Sequence, residues 1–207
     1  MDMKTFLQDY AGWLQSGQWP RRKEFENVGL VAYGRFVPGQ SFLDSYRLRE
    51  KFLKEFGFAV LCAEAVELLR PHCPWLEVGA GSGAWVRGLQ AAGLAVIGTD
   101  PKNDEHWGFQ YEKHAPLAPL PAAEAIKWAP DRNVLCVWPT LGQSWAAEAI
   151  AVITPGRFLA LVHEEEDGCV GDDAMYEILS TSYTQVAEEA LPCFPGIHDH
   201  LTLYQRK

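Results

Sequence analysis

The stretch WLEVGAGSGAW, residues 75–85, sets glycines at Gly79, Gly81 and Gly83 directly behind a short apolar run that ends in a carboxylate, Glu77. A loop stripped of side chains lets the backbone come close to a ligand. The helix expected to follow offers unpaired N–H groups and the positive end of its dipole. The chain around it is therefore read as strand, loop and helix, which restricts the fold to an α/β layering.

The flanking sequence repeats that unit. PWLEVGA reads as a strand, SGAWVRGLQAAG as a helix ending at Gly93, and LAVIGTD as a second strand. The segment PKNDEHWGFQYEKHAPLAPLP is rich in loop residues and gives no placed strand, and a short helix follows in AAEAIKWA. NVLCVWP and GRFLALVHEE are continuously apolar, as strands buried on both faces are, with a helix in SWAAEAIAVI between them. TQVAEEALPCF and GIHDHLTLYQR alternate like two strands joined by a Pro- and Gly-marked turn. The expected fold is a doubly wound, mostly parallel Rossmann-like sheet with a C-terminal antiparallel hairpin.

Ahead of the sheet lies a helical prelude. Residues 4–15 and 41–56 space their apolar and aromatic side chains three and four apart, and FAVLCAEAVELL, residues 58–69, reads as a further helix. Residues 1–57 are expected to form a helical cap on a domain spanning 58–207. Phe6, Tyr10, Trp13 and Leu14, with Phe42, Tyr46, Phe52 and Phe56, are too many for a short helical piece to bury alone. They should pack on the sheet domain or on a second subunit, so a homo-oligomer is one way to cover them.

Composition excludes other classes. The formal net charge of −9 argues against a nucleic-acid partner, although residues 1–57 carry +2 and the remainder −11. Five scattered cysteines without a C-x-x-C pair signal neither a disulfide framework nor a zinc knuckle. The N-terminus lacks the basic-then-apolar pattern of a signal peptide, and no apolar run approaches a membrane span, so a cytoplasmic location is the default. His198 and His200 form an H-x-H without an evident third ligand, and strand alternation accounts for the spacing, so no metal is expected.

GAGSGA also satisfies the loose dinucleotide pattern G-x-G-x-x-G/A, and two carboxylates separate the alternatives. Glu77, on the strand, would be unwelcome beside phosphate but suits a cationic ligand. Asp100 ends the second strand 17 residues beyond Gly83, where it can accept hydrogen bonds from ribose hydroxyls. Together they suit a nucleoside that carries positive charge and no phosphate.

EVGAGSG (Glu77 to Gly83) followed by IGTD (Ile97 to Asp100) resembles the first two cofactor motifs of class I S-adenosylmethionine-dependent methyltransferases over roughly residues 58–207. The resemblance implies that S-adenosylmethionine is the cofactor. The loop of Gly79, Gly81, Ser82 and Gly83 would contact its methionine part, Glu77 would help to hold its amino end, and Asp100 would take its ribose. EVGAGSGAW, LCVWPT and HEEEDGCVGDD are also similar to segments of a group of bacterial and fungal methyltransferase-like proteins, which implies no particular substrate. Two positions depart from the family. Pro121 stands where an acid or amide commonly binds adenine, leaving Glu124 or a backbone amide as substitutes. Trp138-Pro139-Thr140 shares only its position and its proline with the Asn-Pro-Pro-aromatic signature of amino-group methyltransferases.

The leading expectation is a methyltransferase acting on a small molecule or a protein side chain, with Trp138 and Glu164 as candidate catalytic residues at strand ends and His163 as a further candidate base. Methyl transfer needs little acid–base machinery when the acceptor is already nucleophilic, so the lack of a dyad does not argue against activity. The alternatives are a non-catalytic S-adenosylmethionine-binding sensor or assembly partner, and a nucleotide-dependent oxidoreductase, against which Glu77 is the main argument.

Overall fold

The computed structural model describes residues 5–35, 39, 41–101, 112–164 and 168–207. Seven strands form one sheet: β1 (Trp75–Val78), β2 (Val96–Thr99), β3 (Leu117–Ala118), β4 (Asn133–Val137), β5 (Phe158–His163), β6 (Tyr183–Ala190) and β7 (His200–Arg206). Their order is β3-β2-β1-β4-β5-β7-β6. The first five run parallel, while β7 pairs antiparallel with both β5 and β6. This is the Rossmann-like arrangement with a C-terminal antiparallel hairpin that the sequence predicts. The order reverses between β1 and β4, which opens a crevice at the carboxyl ends of those two strands.

Side-chain alternation divides the core in two. Trp75, Leu135, Ala160 and Val162 face one side of the sheet, while Leu76, Val78, Val134, Cys136, Leu159 and Leu161 face the other. The second side is covered by α5 (Ala122–Trp128), α6 (Trp145–Ala151) and α7 (Asp173–Ser182). The first is covered by α4 (Ala84–Ala91) and by the N-terminal α1 (Phe6–Ser16), α2 (Phe42–Glu55) and α3 (Ala63–Leu69).

The N-terminal segment shares its core with the sheet. Phe6, Tyr10, Phe25 and Phe52 are fully or almost fully buried, and they belong to the same cluster as Trp85, Leu89 and Leu203. Two glycines let α1 lie close to α4. A Cβ on Gly17 (φ 70°) would stand 2.2 Å from the Ala91 carbonyl, and one on Gly88 would stand 2.5 Å from the Trp19 ring. The Trp19 indole donates to Gly88 O across the same contact at 3.3 Å.

Three expectations change at this level. The helix predicted over 58–69 starts only at Ala63, because tertiary partners take the backbone groups that a helix would use: Leu61 N donates to the Tyr10 hydroxyl, and Ala59 O accepts from the Trp85 indole. On α2 the buried face is Ser45, Leu48, Phe52 and Leu53, so Phe42 and Tyr46, counted in the apolar stripe, are 58% and 59% exposed. The third strand, unplaced in the sequence, is the two-residue β3. α7 is a further helix beyond those the sequence predicts, and it carries a start signal: the Asp172 carboxylate accepts from Met175 N at 2.9 Å, an N-cap in the run GDDAM.

Candidate active site

The switch-point crevice holds a cavity of about 310 Å³, bounded by the glycine loop, the ends of β1, β2 and β4, the start of α5 and residues 56–58. The loop residues Gly79, Gly81 and Gly83 all have positive φ (63°, 52° and 73°), a backbone that side chains resist. A Cβ on Gly79 would lie 2.7 Å from the Trp145 ring, so this glycine also allows a close approach. Gly83 caps α4, and a Cβ there would press on Ala115 at 3.2 Å.

Ser82 fastens the loop to the N-terminal layer. Its hydroxyl donates to Phe56 O at 2.6 Å and accepts from Ala84 N at 3.2 Å. His114 makes a parallel tie, with its ring Nε2 2.7 Å from Glu55 O and its backbone N–H donating to Ser82 O. Phe56 and Gly57, the last two residues of the expected cap, are thus cavity walls.

Glu77 shares the Trp75 face of β1 and lines the cavity while only 2% exposed. Its Oε2 is buried without a hydrogen-bond partner. Burial, and secondarily the Asp100 carboxylate, push its pKa well above the usual carboxylate range, against a backbone hydrogen bond from Val86. An unpartnered buried acid is expensive. Asp100, also in the cavity lining, accepts from Gly81 N at 2.8 Å, so one of its oxygens holds the glycine loop in place. The sequence suggests a ribose role for this residue but does not reveal its grip on the loop. Pro121 and Ala122 line the cavity at the end of β3, whereas Glu124 is exposed and lies outside it.

Trp138 follows β4 and lines the far wall. It is one of two described non-glycine residues with positive φ (54°), a conformation that costs about 1–3 kcal/mol and persists where surroundings over-determine it. Its backbone N–H donates to Val162 O at 2.9 Å, its ring stacks on Phe58 at 4.9 Å and 12°, and its Nε1–H donates to Asp199 Oδ1 at 2.5 Å. Asp199 is 2% exposed, and burial raises its pKa to about 8 despite the indole hydrogen bond. No sequence pattern marked this partner 61 residues away.

Glu164 departs from the expected acceptor-facing role. It is buried and does not line the cavity, and its carboxylate accepts from Cys169 N at 2.9 Å and His198 N at 3.0 Å. Both oxygens are thereby used to tie the segment after β5 to the turn before β7. His163 is also away from the cavity, between Thr202 and Tyr176, and burial lowers its pKa to about 3. His200 packs against the His163 ring, whereas the His198 side chain is exposed, and no group of three or more candidate metal ligands occurs among the described residues.

No family profile and no curated protein matches the sequence. Solved structures do resemble it. Magnesium protoporphyrin IX methyltransferase from Synechocystis PCC 6803, with bound S-adenosylmethionine, has a TM-score of 0.48 at 15% identity, over 100% of this chain and 98% of that one. A 1,6-didemethyltoxoflavin-N1-methyltransferase from Burkholderia thailandensis has a TM-score of 0.41 at 16% identity, over 70% and 77%. TrmN from Thermus thermophilus has a TM-score of 0.42 at 15% identity, over 77% of this chain and 53% of that one, so the chain spans about half of its length. These are likenesses of fold.

Proposed function

We propose that the chain is an S-adenosylmethionine-dependent methyltransferase acting on a small molecule or a protein side chain. The observation that carries this reading is Glu77: a buried carboxylate oxygen without a partner, at the foot of a cavity behind a loop of three positive-φ glycines. That atom fits the cofactor's ammonium, and the charge that is costly alone becomes favourable when paired. Gly79, Gly81 and Ser82 line the cavity and supply backbone to cradle the methionine part, with Gly83 turning the chain into α4 behind them, and Asp100, which also holds Gly81 N, takes the ribose. A dinucleotide would put phosphate against Glu77 and Asp100, with no basic residue in the glycine loop to receive it.

When bound, the cofactor supplies a methyl group activated by a sulfonium. The protein aligns and dries the reaction. The chain's own part would be to hold the acceptor's lone pair in line with that methyl group, with Glu77 and Asp100 gripping the donor and water kept from the reacting pair. Trp138, Phe58 and Trp145 supply apolar walls for that step. Calorimetry with S-adenosylhomocysteine and NAD tests the reading. Tighter binding of S-adenosylhomocysteine is expected, and tighter binding of NAD would overturn it.

A further inference from the structure

The cavity has two unlike ends. The glycine-loop end presents Glu77 and Asp100, and the other end presents the ring of Trp138 with Phe58 stacked on it, flanked by Pro139, Thr140 and Leu141. Among the described residues that line the cavity there is no lysine, arginine or histidine. Lys113 donates to Gly81 O at 3.2 Å but is not part of the lining. Among these described lining residues an anionic acceptor would meet carboxylates and no protein cation to offset them. A flat, uncharged or cationic ring finds an aromatic face suited to stacking and to cation–π attraction.

The Trp138 indole is held more firmly than a core side chain requires. The left-handed backbone turns it out of the strand direction, the Phe58 ring covers part of it, and the Asp199 carboxyl fixes Nε1. Asp199 is itself anchored, since its carbonyl accepts from Leu191 N at 3.1 Å. With Glu164 accepting from the neighbouring His198 N, the whole turn before β7 is fixed behind the indole.

We propose that Trp138 is the platform on which a flat methyl acceptor without negative charge lies, and that Asp199 is a positioning residue that sets the plane of that platform. This rests on the methyltransferase reading of the same cavity. Methyl transfer moves the sulfonium's positive charge onto a neutral acceptor, and an aromatic platform accommodates that charge before and after the step.

The test combines a binding assay with a spectroscopic one, using the full chain. Saturation-transfer NMR would be run with quinoline, N-methylquinolinium and quinoline-2-carboxylate, in the presence of S-adenosylhomocysteine. Quinoline and N-methylquinolinium are expected to bind at least about tenfold more tightly than the carboxylate, and Trp138→Ala to lose about tenfold for both. Trp138→Phe keeps a ring and should lose less. The indole N–H resonance assigned with Trp138→Phe should lie downfield in the wild type, stay so in Asp199→Asn, and move upfield in Asp199→Ala together with a several-fold loss of quinoline affinity. Equal binding of the carboxylate, quinoline affinity unchanged in Trp138→Ala, or an indole resonance indifferent to Asp199→Ala would each overturn the platform while S-adenosylhomocysteine still binds. Failure of the wild type to bind S-adenosylhomocysteine overturns the methyltransferase reading and the platform with it.

Discussion

The two ends of the cavity are built by different means. At the glycine-loop end, Glu77, Gly79, Gly81, Ser82 and Gly83 lie within seven consecutive residues, and Asp100 directly follows the adjacent parallel strand β2. At the Trp138 end, the indole on the β4 loop is fixed by Phe58 from the segment after α2 and by Asp199 from the turn before β7. A contiguous motif fixes ligand groups through the backbone, whose geometry follows from local sequence. A ring clamped from distant segments depends on the whole fold being in place. The glycine-loop end should therefore tolerate changes in the hairpin, and the Trp138 end should not.

The most severe way to break this comparison is to remove what both ends share. Deleting residues 1–57 takes Phe6, Tyr10, Phe25, Phe52 and Phe56 from the core cluster that contains Trp85 and Leu89, and it removes the Phe56 carbonyl that anchors Ser82. Each lost large apolar side chain costs several kcal/mol, against a total stability of about 5–15 kcal/mol. The truncated chain should lack a cooperative thermal transition and be insoluble. A soluble truncated protein that binds S-adenosylhomocysteine normally would show that the glycine-loop end needs no N-terminal layer.

Glu77→Gln ranks next. It keeps the shape of the side chain and removes the charge that would pair with the ligand ammonium, so S-adenosylhomocysteine affinity should fall by about tenfold to a hundredfold. The unliganded protein should become no less stable, because Oε2 of the buried carboxyl has no hydrogen-bond partner to lose. Calorimetry and thermal unfolding of the same variant check both halves, and undiminished affinity would separate Glu77 from the ligand.

Asp100→Asn should have a smaller effect, about tenfold on affinity. The amide oxygen can still accept from Gly81 N, so what is lost is charge assistance toward the ribose. Asp100→Ala should lose more than the ribose contact accounts for, because it also releases the glycine loop. A comparison of the two variants by calorimetry separates holding the ligand from holding the loop.

A probe that addresses the Trp138 end through stability is pH. Asp199 ionises near 3.8 when unfolded and near 8 in the folded chain, where burial is the chief cause, opposed by the Trp138 hydrogen bond and by Arg49, and reinforced by Glu164. The folded state therefore binds more protons than the unfolded state between about pH 4 and about 8. The contribution of this group is fully present below that window and is lost as pH rises through it. The melting temperature should fall with rising pH across the window more steeply than in Asp199→Asn, whose side chain does not titrate. Parallel profiles would mean that Asp199 is already ionised at neutral pH. Glu77 works in the opposite sense on binding: a cation needs its carboxylate, so S-adenosylhomocysteine affinity should rise with pH through the raised pKa of Glu77.

Sequence alone determined the α/β layering, the antiparallel hairpin, the glycine loop and the two carboxylates beside it. Each of these rests on interactions between near neighbours in the chain or on a periodicity of two or 3.6 residues. It did not reach the non-helical run 58–62, the exposure of Phe42 and Tyr46, the structural use of Glu164, the grip of Asp100 on Gly81 N, or the pairing of Trp138 with Asp199. In 58–62 a distant tyrosine and tryptophan outcompeted the helix for backbone groups. Its position at a strand end makes Glu164 a candidate catalytic residue, but two backbone N–H groups, one of them 34 residues away, converge on its carboxylate. Such contacts form only when non-local segments meet, so the local pattern fixed which residues could bind a ligand, and the tertiary structure decided which of them were already occupied in holding the fold.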